Sequence, residues 1–197
     1  MLTYCRARLL AISLPLLLLA APVSGLANVD LVFQSVPVAG CVPNEFVVEL
    51  YAVADGGTAE SISGIDVFLE WDPIALKILD NEQVTDPYNW FWDGFSSFDE
   101  LNVPMEGEGN HPRIPANDGQ AVYSAFGDPG GDPAYATPGE GLLVTRFHFQ
   151  KKQGAYSSLI TIIPGVGIRE TIVASGEVPG VNIVGVLGFI DLPLPLE

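Results

Sequence analysis

Between Gly64 and Trp71 the chain reads Gly-Ile-Asp-Val-Phe-Leu-Glu-Trp, with Ile65, Val67, Leu69 and Trp71 on one face and Asp66, Phe68 and Glu70 on the other. Side chains alternate across a strand, whereas a helical face repeats every 3.6 residues. A period of two with one uniformly apolar face therefore predicts a half-buried strand of an antiparallel sheet. The same signature recurs at 29–36, 45–54, 74–79, 120–126, 142–150, 157–163, 166–174 and 181–187. Together these predict about nine strands. That number suits an all-β, two-sheet antiparallel β-sandwich of the jelly-roll kind. Asp55-Gly56-Gly57 and Asn117-Asp118-Gly119 carry residues that tolerate positive φ and read as turns.

The first 27 residues stand outside this pattern. A basic stretch with Arg6 and Arg8 precedes an apolar run from Leu9 to Ala21, and small residues follow at Gly25 and Ala27. This is the layout of a secretory signal peptide cleaved near Ala27, and the run is shorter than the roughly 18 to 20 apolar residues that span a bilayer. The expectation is a secreted protein, extracellular or at the cell surface, without stable membrane insertion. Removing 27 of the 197 residues leaves 170, read as one domain over 28–197. Formal charge moves from −16 to −18 as Arg6 and Arg8 leave. A field of that sign repels nucleic acid and favours basic partners or cations. Cys5 leaves with the leader and Cys41 remains alone, so no intrachain disulfide is expected; a small buried thiol is.

The strand at 64–71 runs directly into Asp72-Pro73-Ile74-Ala75-Leu76. Further on, Ala121-Val-Tyr-Ser-Ala-Phe-Gly-Asp128 precedes a Gly/Pro-rich turn, and Gly139-Glu-Gly-Leu-Leu-Val-Thr-Arg-Phe147 follows. An amphipathic strand ending in an aromatic residue and Asp-Pro, then a strand, an acidic turn and a Gly-x-Leu-x-x-x-x-Phe strand, resembles a cohesin module over about 29–191. Family-3 cellulose-binding modules are similar in fold. The resemblance implies a nine-stranded jelly roll in which one sheet face receives a dockerin, a calcium-loaded protein module. By position it implies that Asp66 is an acidic partner contact, with Phe68 and Glu70 beside it. Gly64 departs from the polar residue usual two places before that aspartate. Gly127 stands where an acidic residue is usual, with Asp128 one place later.

Asp66, Phe68 and Glu70 form a half-apolar, half-acidic patch suited to a protein partner. The segment 81–116 breaks the strand rhythm, and a connection of that length is commonly functional; a helical turn is expected at Ser97–Leu101. Its aromatic residues Tyr88, Trp90, Phe91, Trp92, Phe95 and Phe98 read either as the rings that pin the loop to the sandwich or as a sugar-stacking surface built on Tyr88, Trp90 and Trp92. Asp128 with Asp132, Asn117 with Asp118, and Glu106 with Glu108 offer oxygen ligands of the type Ca²⁺ takes, but without the spacing of a calcium loop. No cofactor is otherwise indicated. Neither Gly-x-Ser-x-Gly nor His-Glu-x-x-His occurs, and the histidines are His111, in a Pro-bounded loop, and His148, on a strand face opposite Phe147 and Phe149. The reading is a monomeric, non-catalytic binding module for a dockerin-like protein, with polysaccharide binding and a purely structural surface role as alternatives.

Overall fold

The computed structural model describes residues 28–36, 44–95, 119–152 and 157–193; the leader, Cys41, Ser97–Leu101, Glu106, Glu108, His111, Asn117 and Asp118 lie outside them. Fourteen strands run through the described residues: β1 (Val29–Val36), β2 (Glu45–Ala54), β3 (Glu60–Trp71), β4 (Leu76–Gln83), β5 (Trp92–Phe95), β6 (Gln120–Phe126) and β7 (Ala134–Ala136). They continue with β8 (Leu142–Lys151), β9 (Ser157–Ile163), β10 (Gly165–Val166), β11 (Arg169–Glu170), β12 (Ile172–Ser175), β13 (Val184–Leu187) and β14 (Phe189–Pro193). One sheet has the order β13-β1-β2-β8-β4. The second has the order β14-β9-β3-β6-β5, with β12 and β7 also paired to β3. This is the two-sheet sandwich that the alternation predicts. It departs from a wholly antiparallel arrangement at one edge, where β1 pairs β13 in parallel.

The long β3 is central to the second sheet, and its inward face carries Ile65, Val67, Leu69 and Trp71 into the core. Opposite them, β8 contributes Phe147 and Phe149 and β2 contributes Val48 and Leu50. Trp71 meets Phe149 edge-on at 5.7 Å, and Tyr123 meets Phe147 at 5.2 Å with perpendicular rings. Such geometry places a positive ring edge against a negative face.

The Asp-Pro turn switches the chain from one sheet to the other. Asp72 Oδ1 accepts from Ile74 N at 2.8 Å, its carbonyl accepts from Ala75 N and Leu76 N, and Trp71 N donates to Gly119 O at 2.8 Å. An aspartate whose side chain closes its own turn, followed by a proline of fixed φ, ends β3 and launches β4 in the facing layer.

A polar cluster ties the two layers together beneath β5. Asn81 on β4 donates to Asp93 Oδ2 at 2.7 Å, Tyr123 OH lies 3.4 Å from the same oxygen, and Thr145 on β8 donates to Glu82 O at 3.0 Å. Asn81, Asp93, Tyr123 and Thr145 are all buried. Trp90 adds a bond from its indole N–H to Val144 O at 3.1 Å.

The expected strand at 166–174 is not continuous. Gly167 adopts φ 64°, and the chain folds into the short hairpin β10–β11 before β12 begins. A left-handed glycine turns the chain where a β-branched residue would continue it. β5, β7 and β14 are strands that the alternation did not predict. The run expected at 181–187 is a strand only from Val184.

Candidate binding face

The two outward faces of the sandwich differ in how their charges are satisfied. On the first sheet Arg146 Nε bonds Glu49 Oε1 at 2.8 Å and its Nη1 lies 3.3 Å from Glu82, while Tyr51 OH donates to Glu49 Oε2 at 2.8 Å. The bond to Glu49 raises the Arg146 pKa further. His148 stands half-buried between Asp80 and Glu82, at 3.6 and 3.8 Å, on the face expected for it. Lys77, Arg146 and Lys151 all lie on β4 and β8, with Lys152 just after. Among the described residues, the one remaining cationic side chain is Arg169, on the β10–β11 hairpin.

The second sheet presents Asp66, Phe68 and Glu70 outward from β3, as alternation requires, but three different environments receive them. Asp66 is half-buried and hydrogen-bonded by Ser124 Oγ from its cross-strand partner on β6. Phe68 is 1% exposed, which corrects its expected place in a patch open to a protein partner. The Arg169 guanidinium lies over its ring, 5.5 Å from the centroid. Thr171 Oγ1, which donates to Ile163 O at 2.7 Å, accepts from Phe68 N at 3.2 Å. The hairpin therefore covers the middle of the face, where the neighbour of β3 changes from β9 to β12.

Glu70 remains exposed. It accepts from Gln120 Nε2 at 2.9 Å and lies in a cross-strand row that runs Phe189, Thr161, Glu70, Gln120 over β14, β9, β3 and β6. Beside this row Leu159 pairs with Asp191. Phe189 is 68% and Leu159 50% exposed, because they point away from the core that takes Ile160, Ile162 and Leu192. A shallow concavity of about 420 Å³ opens between Glu70, Asp72, Gln120, Leu159 and Thr161. Phe189 and Leu159 were not singled out in the sequence; β14 is five residues long after a glycine, and its alternation is too short to show.

At the other end of the face lies a second concavity of about 660 Å³, lined by Tyr88, Phe91, Trp92, Phe126, Pro129 and Pro133, with Asp128 also on its wall. Trp92 and Phe126 are cross-strand partners whose rings stack at 5.7 Å, 27° from parallel. Phe126 packs over Gly64, where a Cβ would meet its ring at 3.0 Å; the glycine that departs from the family pattern makes room for that ring. Tyr88 OH donates to Asp132 O at 3.0 Å and so holds the loop 128–132, and Asp128 Oδ1 accepts from Gly130 N. The structure divides the sugar-stacking set: Trp92 is 38% exposed and Tyr88 half-buried, whereas Trp90 is 1% exposed and packs edge-on against Tyr88 at 4.9 Å. Trp90 is a core residue. Among the described residues, no group of three or more His, Cys, Asp or Glu side chains is placed to hold a metal ion.

At the level of sequence, no family model and no curated protein matches the chain. Solved structures do. The cohesin module of a Clostridium perfringens family 33 glycoside hydrolase superposes with a TM-score of 0.50 at 10% identity, over 85% of this chain and 96% of that one. The seventh ScaB type I cohesin of Pseudobacteroides cellulosolvens superposes with a TM-score of 0.50 at 13% identity, over 86% of this chain and 94% of that one. With its Asp-Pro sheet switch and its central β3, the chain has the fold of a cohesin module.

Proposed function

We propose that the chain is a non-catalytic adhesion module that binds a dockerin-like protein through the outer face of the second sheet, at the row formed by Phe189, Thr161, Glu70 and Gln120. The observation that carries this reading is the exposure of two apolar side chains, Phe189 and Leu159, on the same outer sheet face as two carboxylates: Leu159 pairs with Asp191, and Thr161 stands between Phe189 and Glu70. Covering what remains exposed of each side chain gains a part of the roughly 1.5–3 kcal/mol that full burial of such a residue is worth. Leaving both wet on an isolated domain gains nothing. The flanking carboxylates then select a partner by charge and speed its approach. The first sheet is a poorer surface for this purpose because its arginine is already held by Glu49 and Glu82.

The reading includes export of the chain, cleavage near Ala27 and action as a monomer outside the cell. N-terminal sequencing of the protein recovered from the medium of its own cells tests the first two points. Among the described residues, no helix is long and apolar enough to cross a membrane. The binding itself is tested by passing dockerin-bearing proteins of the same organism over the immobilised chain, in calcium and in chelator, with cellulose and chitin retention measured in parallel. Saturable capture of a dockerin-bearing protein supports adhesion. Retention on polysaccharide with no protein capture contradicts it.

A further inference from the structure

The aromatic pocket at the far end of the same face takes no part in the row around Glu70, and its chemistry indicates what it receives. Its lining is apolar and ring-rich, yet Asp128 stands on its wall and Asp132 is exposed on the same loop. Among the described residues, no Lys or Arg lines it. Four of the five described cationic side chains lie on β4 and β8 or just beyond, in the first sheet, and the fifth covers Phe68. That last contact shows how this face accommodates an aromatic side chain: a guanidinium lies over the Phe68 ring with the Asp66 carboxylate on the same strand two residues away. Two residues further along the strand pairing, Gly64 and Phe126 begin a second site with the same ingredients, rings and a carboxylate, but no cation among the described residues that line it.

We infer that the Trp92–Phe126 pocket receives an arginine side chain of the protein partner, its guanidinium stacked on the rings and paired with Asp128. The inference rests on the adhesion reading, because it makes this pocket a second contact on the same sheet face, on the other side of the β10–β11 hairpin. Charge complementarity favours a cation: the chain carries a formal net charge of −16, and Asp128 sets one carboxylate of that sign on the wall of an otherwise apolar pocket. A guanidinium fits better than an ammonium. It is planar, stacks on ring faces, is weakly hydrated and offers parallel N–H donors to a carboxylate.

The test uses the full chain with a blocked Gly-Arg-Gly peptide as probe, against its citrulline and lysine counterparts and cellohexaose, followed by the indole N–H resonances. Trp71 is buried away from the pocket and serves as an internal reference, and Trp90 lies behind Tyr88, so a site at the pocket moves Trp92 most. The arginine peptide is expected to shift the Trp92 signal saturably, to bind at least tenfold more tightly than the citrulline peptide, and to weaken with added salt. Asp128→Asn is expected to weaken it several-fold while preserving the fold, because the asparagine oxygen still accepts from Gly130 N. Phe126→Leu, which keeps the Trp92 reporter, is expected to weaken arginine binding as well. Equal binding of the citrulline peptide, no saturable shift with arginine, or a Trp92 shift by cellohexaose alone each overturns the inference, the last by making the pocket a glycan site. Should Glu70→Lys abolish capture of the partner while the arginine peptide leaves Trp92 unmoved, this inference fails and the adhesion reading stands.

Discussion

The guanidinium of Arg169 lies 5.5 Å from the centroid of the Phe68 ring and helps to shut that side chain from water. The β10–β11 hairpin divides the outer face into an acidic-apolar end at Glu70 and an aromatic end at Trp92. Because Arg169 is itself exposed, Arg169→Ala is expected to cost no more than about 1 kcal/mol. Phe68→Ala removes a buried ring and is expected to cost about 3–5 kcal/mol. Urea denaturation of both variants checks this; equal losses would mean that the arginine does more than cover the ring.

Trp90 and Trp92 are two residues apart and are expected to respond very unequally to truncation. Trp90→Ala deletes a buried indole and leaves Val144 O without that donor, for a loss of about 3–5 kcal/mol. Trp92→Ala gives up a half-exposed ring and one stacking contact, about 1 kcal/mol. Thermal unfolding of the two variants should separate them by many degrees, with any loss of ligand binding confined to Trp92→Ala.

The polar cluster under β5 makes Asn81 costly to replace. Asn81→Ala withdraws the donor 2.7 Å from Asp93 Oδ2 in a buried setting, and a loss of about 2 kcal/mol is expected. Denaturation by guanidinium chloride measures it.

Burial first, and then the bond to the negatively charged Glu49, raise the Tyr51 pKa above its ordinary value. A folded-state pKa above the unfolded one contributes stability that is fully present below the unfolded value, near 10, and is lost as pH rises through the folded value. Stability is therefore expected to fall on the alkaline side of pH 10, and Tyr51→Phe should flatten that limb. Tm measured from pH 8 to 11 for both proteins gives the comparison.

Strand alternation made the inward half of β3 legible, and Ile65, Val67, Leu69 and Trp71 are all core residues. It was silent about Phe68, because a period of two assigns a residue to a face and says nothing of what folds over that face. The hairpin that covers Phe68 arises from Gly167 inside a run that otherwise reads as one strand. The aromatic segment posed the same difficulty: Trp90 and Trp92 look alike in sequence, and only the position of β5 at the edge of β6 sends one inward and leaves the other beside Phe126. The Asp-Pro turn was legible because one residue supplies both its cap and its direction. Asp93 was not, since a carboxylate on a four-residue strand looks like a surface group until Asn81 and Tyr123 are seen to meet it.

Binding at the row from Phe189 to Gln120 is tested most directly by calorimetric titration of a captured dockerin-bearing protein into Glu70→Lys, Leu159→Ser and Phe189→Ser variants. Each side chain is exposed, so the variants should fold as the parent does. Affinity is expected to fall at least tenfold in Glu70→Lys and in the double variant of Leu159 and Phe189, about 1.4 kcal/mol or more in each. Undiminished affinity in both, with loss on reversing Glu49 or Glu82 on the first sheet, would contradict the account and move the binding face to the other side of the sandwich.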